Sequence, residues 1–314
     1  MRASRLTSWG GAALALAGCA LALAGCAGPP LPADPHALEA ELRTRVEMLR
    51  AVFASFHAEG TVVIEGPDRV KLNWRADAVR GQWARVAVSS SLVTDPIVEV
   101  RARAGDGLLV RVSPPGAPAT LYRAPDDLSD LPVDGTIRAA AEWLIQLARG
   151  ERSAMPSLSR IRPSDDVVRV ELTREAAPRA TSEDGALTAA LRRSDGMPLE
   201  IEASLPGDPA RTCLFARPRG NRALVVTGTP LSLAADVDAS LQACCRRKTL
   251  ASVRLTIVRL RNDPPGPLPR WSETARPIEA LQDNRWMRRT FRDAQAVRDA
   301  ALRACNAPSG VRDR

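Results

Sequence analysis

Val70-Lys71-Leu72-Asn73-Trp74-Arg75-Ala76 decides the fold. Every second residue is apolar, and the residues between them are Lys, Asn and Arg. Side chains of an extended chain alternate between two faces, so this stretch predicts a strand with one face on a core and one toward water. The same pattern recurs on both sides. Thr61 to Glu65 is β-branched; Ala84, Val86 and Val88 flank Arg85. Val98, Val100 and Ala102 alternate with Glu99, Arg101 and Arg103, and Leu108, Val110 and Val112 flank Arg111. The separators, such as Asp77 to Gly81 and Gly105-Asp106-Gly107, are turn-like. Beyond residue 160, Val168 to Thr173, Leu187 to Arg192, Leu199 to Leu205, Thr212 to Ala216 and Ala223 to Thr227 continue the series. The sum is about ten or eleven antiparallel strands between Ala58 and Gly228.

Helices frame the strands. Asp34-Pro35 reads as an N-cap followed by proline in the first turn, and Leu38, Leu42, Val46, Leu49 and Phe53 then share one helical face. A helix opens mid-chain at Asp134, presents Ile137, Ala141, Leu144, Ile145 and Ala148, and stops at Gly150. Leu231 to Cys245 has helical spacing, Ser252 to Arg261 alternates as a strand, and Met287, Phe291, Ala294, Val297, Ala301 and Cys305 form a last helical stripe.

Catalytic signatures are missing. No nucleophile elbow, zinc-protease, phosphate-loop or dinucleotide motif occurs. His36 and His57, the two histidines, fall at opposite ends of the first helix, about 31 Å apart if it is continuous. Asp126-Asp127 and Asp165-Asp166 sit at turns, where Asp bonds its own backbone. The expectation is a non-enzyme without cofactor or metal.

The N-terminus supplies an address. Arg2 and Arg5 precede an apolar run from Leu6 to Ala24, and Leu-Ala-Gly-Cys occurs twice, ending at Cys19 and at Cys26. A basic start, an apolar middle and small residues before a cleavage point mark a secretory signal. Leu-Ala-Gly-Cys resembles the bacterial lipobox, whose cysteine is acylated with palmitate-type chains. Cleavage before Cys26 leaves a Pro-rich tether, Ala27 to Asp34, whereas cleavage before Cys19 leaves an apolar run. Cys26 is therefore the expected lipid anchor and Cys19 the second choice. Ala27, not Asp, follows Cys26, which by likeness to Gram-negative lipoproteins implies the outer membrane, facing the periplasm. Loss of residues 1–25 leaves 289 residues and lowers the net charge from +8 to +6. Export excludes nucleic acid as a partner. It also turns Cys213, Cys244, Cys245 and Cys305 into disulfide candidates with three possible connectivities, of which a bond between adjacent Cys244 and Cys245 is strained.

Helix, long strand meander, mid-chain helix and further strands behind a lipobox resemble the LolA/LolB-type lipoprotein carriers. Arg85 to Val93 looks like the strand and Leu-bearing loop of the LolB-like members, with Leu92 in the place of the loop leucine. Glu142 to Gly150 looks like their mid-chain helix. The resemblance spans residues 36–228 and implies an α+β fold: a half-closed antiparallel β-barrel of about 11 strands with covering helices. Four parts result: signal 1–25, tether 26–35, half-barrel 36–230 and a C-terminal extension 231–314. The implied activity is binding of lipid or lipoprotein acyl chains, with Leu92 and Val93 at the loop tip and Trp74, Trp83, Val86 and Val100 as lining. A second expectation is a structural or assembly lipoprotein that docks an envelope partner near Trp271, Trp286 and Phe291.

Overall fold

The computed structural model describes residues 29–52, 54–65, 69–90, 95–124, 135–151, 156–174, 187–204, 212–219, 223–225 and 232–243, and then 245, 247–262, 266, 268, 271, 274–281 and 283–306. Both lipobox cysteines, Cys19 and Cys26, fall outside them, as do Leu92 and Val93.

Alternating sequence becomes an antiparallel meander: β1 (Ser55–Glu65), β2 (Val70–Val79), β3 (Trp83–Ser90), β4 (Val98–Arg103), β5 (Gly107–Val112) and β6 (Thr120–Ala124). Helix α1 (Pro35–Val52) precedes it and α2 (Gly135–Arg149) follows it. The Asp34 carboxylate accepts from the Ala37 amide at 2.8 Å, capping α1 as its sequence predicts. Gly150 ends α2 with φ 74°, a left-handed conformation that a side chain resists.

A second meander follows: β7 (Pro156–Pro163), β8 (Val167–Arg174), β9 (Leu187–Arg192), β10 (Pro198–Ser204) and β11 (Thr212–Pro218). A short ribbon, β12 (Ala223–Val225) with β13 (Ser232–Ala234), leads into the long hairpin β14 (Asp236–Ala243) and β15 (Lys248–Arg261). The last elements are β16 (Arg276–Pro277), a 3₁₀ turn (Ile278–Leu281) and α3 (Arg285–Asn306).

Fourteen strands form one sheet in the order β16-β6-β5-β4-β3-β2-β1-β15-β14-β11-β10-β9-β8-β7. This corrects the sequence reading in three ways. The strands number more than eleven. Leu231 to Cys245 is largely strand, because Val237, Ala239, Leu241 and Ala243 alternate and their pairing with β11 and β15 outweighs the helical preference of an Ala-rich stretch. Residues 236–261 are not an extension, since β14 and β15 join the two meanders at the centre of the sheet.

Register makes the inner face apolar across the whole sheet. One row of cross-strand partners runs Val70, Ile64, Val253, Ala239, Ala216, Ile201, Ala189, Val170, Ile161. Another runs Leu260, Ala58, Ala76, Val86, Val100, Val110, Tyr122. These rows and the apolar sides of α1 and α2 belong to one core cluster. Gly60 sits at a bulge between β1 and β15, where a Cβ would lie 1.9 Å from the Thr256 carbonyl oxygen. The edge strand β7 is bounded by proline and carries exposed Arg160 and Arg162, features that discourage pairing with another chain.

The expected tether is docked from Pro29 onward. Leu31 is buried, and its amide donates to the Arg193 carbonyl. Arg45, buried on α1, donates to the Pro29 carbonyl at 2.9 Å and to Glu41 at 2.7 Å. A buried apolar anchor and a guanidinium with fixed acceptors hold this segment against the body.

Candidate functional site

Two faces of the sheet carry the candidate chemistry. The inner one is apolar. Helix α2 rests on β2 to β5, and α1 touches both β1 and β7. Seven steps of the strand order separate β1 from β7. Helix α1 covers the inner face of this half of the sheet, β1-β15-β14-β11-β10-β9-β8-β7, and the two bound an apolar trough. Its floor is small at Ala239 and Ala216, in the middle of the register row, and again at Ala189 beyond Ile201. Half-buried apolar side chains border the core: Met48 and Leu49 on α1, Trp143 on α2, Val98 and Val100 on β4, Leu158 and Ile161 on β7.

The outer face of the first meander is charged yet buried. Asp77, Glu99 and Arg101 are 1%, 5% and 5% exposed, although alternation assigns them to the wet side. They are neighbours across the strands, in the row His57, Asp77, Arg85, Arg101 and the adjacent row Glu59, Arg75, Ala87, Glu99. The Asp77 carboxylate receives Arg75 at 2.9 Å and Arg85 at 2.8 Å, and its other oxygen lies 2.5 Å from His57 Nδ1. Glu99 receives Arg101 at 2.8 Å. Two residues from beyond β15, Leu268 and Trp271, lie against this face. The Trp271 ring lies over the Arg101 guanidinium, 3.7 Å from its centroid, and Arg103 donates to the Leu268 carbonyl. Burial lowers the pKa of Arg101 from the usual arginine range, and the hydrogen bond to Glu99 opposes that shift.

The His57–Asp77 pair has the form of an oriented base, but its geometry leads elsewhere. His57 Nε2 faces Glu59 at 3.5 Å, a second carboxylate instead of a hydroxyl or thiol. Sequence reasoning places His57 at the end of the first helix; the structure ends α1 at Val52 and puts His57 on β1. The available signal is the run of Asp77, Arg85, Glu99 and Arg101 on polar positions of successive strands, which becomes a lattice only once register is known.

The expected site residues separate. Trp74, Val86 and Val100 lie on the inner side. Trp83 does not: it is buried on the opposite face, an odd number of residues from Val86, so it leaves the proposed lining. A cavity of about 570 Å³ opens on the outer face, bordered by Glu59, Arg75, Arg85, Ala87 and Glu99. Cys245 is bonded to Cys305, with Cα atoms 5.7 Å apart, which ties α3 to the β14–β15 hairpin. Cys213 is also disulfide-bonded, and Cys244 lies outside the described residues. Among the described residues no helix is long and apolar enough to cross a membrane.

No protein-family profile and no curated protein matches the chain. Solved structures do. A LolA superfamily protein from Nitrosomonas europaea has 13% identity and a TM-score of 0.41, covering 70% of this chain and 92% of its own. A DUF1329 family protein from Desulfovibrio piger has 12% identity and a TM-score of 0.44, with coverages of 73% and 94%. A Vibrio parahaemolyticus domain named for outer membrane lipoprotein sorting has 10% identity and a TM-score of 0.42, with coverages of 71% and 92%.

Proposed function

We propose that this chain is a lipid-anchored protein of the cell envelope that holds acyl chains of a lipid or lipoprotein between the inner face of its sheet and helices α1 and α2, without catalysing a reaction. The observation that carries the reading is the trough: an apolar register row crosses nine strands, has alanines at its centre, and lies under a helix that bridges β1 and β7. Apolar burial of order 25 cal/mol per Å² is the driving force for an acyl chain there. Cys26 is the proposed anchor on the outer membrane. Three residues from Cys26 to the docked Pro29 reach about 10 Å at most, so the anchor keeps the β9–β10 end close to the bilayer.

The alternative, docking an envelope partner near Trp271, Trp286 and Phe291, is weakened at its first residue, because Trp271 is engaged on Arg101. The side chains of Trp286 and Phe291 lie outside the described residues.

The test uses the full-length protein with Cys26→Ala. It should leave the membrane fraction. Lipid extracted from the purified protein and counted by mass spectrometry should approach one molecule per protein. Ala216→Phe, which fills the trough floor, should reduce that at least fivefold. A lipid-free protein whose content is unaffected by Ala216→Phe would overturn the carrier reading. Retention of Cys26→Ala in membranes at unprocessed size would overturn the anchor.

A further inference from the structure

A second charged feature lies away from both the lattice and the trough. Strands β14 and β15 meet at a tip whose sequence is Cys244-Cys245-Arg246-Arg247-Lys248. The Cys245–Cys305 disulfide, with Cα atoms 5.7 Å apart, fixes the last turn of α3 to this tip, and Ala243, Leu250, Leu302 and Ala304 pack together beside it. At about 3.8 Å per residue, the Cα atoms of Arg247, Lys248 and Arg303 lie within about 11 Å of that of Cys245. All three residues are exposed. Among the described residues none of the three has a carboxylate partner.

Arg247 is placed there against its backbone preference. Ala243 pairs with Lys248, and in the turn between them Arg247 has φ 51°. Among the described residues it is the one non-glycine residue in the left-handed region, a place that glycine or asparagine ordinarily fills in a hairpin turn. Its guanidinium stands 5.7 Å from the centroid of the Phe215 ring, which is 7% exposed. An arginine that strains the turn is the kind of local outlier that gathers at functional sites. Its planar fork of donors fits a carboxylate.

The tip points away from the docked tether. Ala189 on β9 and Ala239 on β14 share one register row, and the two strands run in opposite directions. Arg193, whose carbonyl holds Leu31, is four residues past the row at one end of the sheet, and Cys245 is six residues past it at the other. The two points are therefore about 33 Å apart along the strands. That is well beyond the Debye length of about 10 Å near 0.1 M salt, so a bilayer held at Cys26 exerts little field on the tip. We propose that the tip, the β14–β15 turn with the last turn of α3, docks an acidic segment of a partner protein, whose Asp or Glu carboxylates pair with Arg247, Lys248 and Arg303. The choice of a protein over lipid headgroups rests on the Cys26 anchor proposed above; the cation cluster itself does not.

The probe is fluorescein-labelled hexaglutamate, titrated by anisotropy into the full-length protein with Cys26→Ala. Binding should saturate and should weaken at least about fivefold between roughly 50 and 300 mM salt. Arg247→Gly relieves the left-handed backbone, so the melting temperature should stay at or above the parent value while affinity falls at least about threefold. Lys248→Glu, outside the turn, should lower affinity about tenfold. Arg169→Glu, an equal change of net charge on exposed β8, should leave it within about twofold. Absence of saturable binding at about millimolar peptide overturns the proposal. Equal losses from Lys248→Glu and Arg169→Glu also overturn it, because net charge alone would then explain binding. The lipidated protein, in phosphatidylcholine vesicles with and without about a quarter phosphatidylglycerol, should bind the peptide alike. Weaker binding with phosphatidylglycerol means that the tip lies on lipid headgroups, and overturns the protein partner. Failure to insert into either vesicle overturns the anchor, a result read separately from peptide binding.

Discussion

Both faces of strands β1 to β4 hold buried side chains, yet they are built by different means. On the inner face Ala76, Val86 and Val100 meet in register and helix α2 covers them. On the outer face Asp77, Arg85 and Arg101 meet in register; Trp271 lies over Arg101, and the Leu268 carbonyl accepts from the neighbouring Arg103. Apolar side chains need only be brought together, because leaving water is itself favourable. Charged side chains under a cover need partners at every step, because an unpaired buried charge is costly. The difference teaches that alternation in a sequence reports polarity and does not report exposure.

The largest expected effect comes from breaking the charged row. Asp77→Ala leaves Arg75, Arg85 and His57 without their shared carboxylate. Urea unfolding should show a loss of about 3–5 kcal/mol. Leu72→Ala on the inner face of the same strand should cost about 2–5 kcal/mol, through lost burial and a residual void. A cost below about 1 kcal/mol for Asp77→Ala would mean that the row is solvated and the two faces differ as alternation alone suggests. Adding Arg85→Met to Asp77→Ala should recover part of the loss, since the second change removes a stranded charge.

Much of the fold is legible in the sequence for physical reasons that act locally. Val70 to Ala76 alternates with period two, Asp34-Pro35 carries a cap, and Gly150 carries a stop; the structure has a strand, a helix start and a helix end at those places. Sheet order is not legible. Nothing near Val237 or Leu255 states that these residues will sit between β1 and β11, because that pairing joins segments far apart in the chain. The same limit hides the outer-face lattice. His57 and Asp77 are 20 residues apart and become neighbours only when β1 pairs with β2 in one register. Trp83 is a simpler case, since its parity relative to Val86 already assigns it to the other face.

A middle-sized effect tests the cover. Trp271→Ala removes the ring over Arg101 and leaves the Arg101–Glu99 pair in place. A desolvated cation–π contact contributes about 2 kcal/mol, so thermal unfolding should show a loss of about 1–2 kcal/mol. The cost should exceed that of Trp271→Phe, which keeps an aromatic face. Equal stability of Trp271→Ala and the parent would mean that Trp271 does not shield the outer row.

The smallest effect sharpens the comparison, because it compares like with like. Arg254 and Asp238 pair at 3.2 Å across β14 and β15 and have the same chemistry as Arg85 and Asp77, but their side chains are 33% and 52% exposed. Water already solvates both ions, so either one left alone keeps most of its hydration. Asp238→Ala should cost about 0–1 kcal/mol, and the difference should shrink further in roughly 1 M salt. Asp77→Ala should respond much less to salt, because the Asp77 carboxylate is 1% exposed and screening ions do not reach it. If the two variants were equally costly and equally salt-sensitive, burial would not be what separates them, and the charged rows on the two halves of the sheet would be one kind of surface.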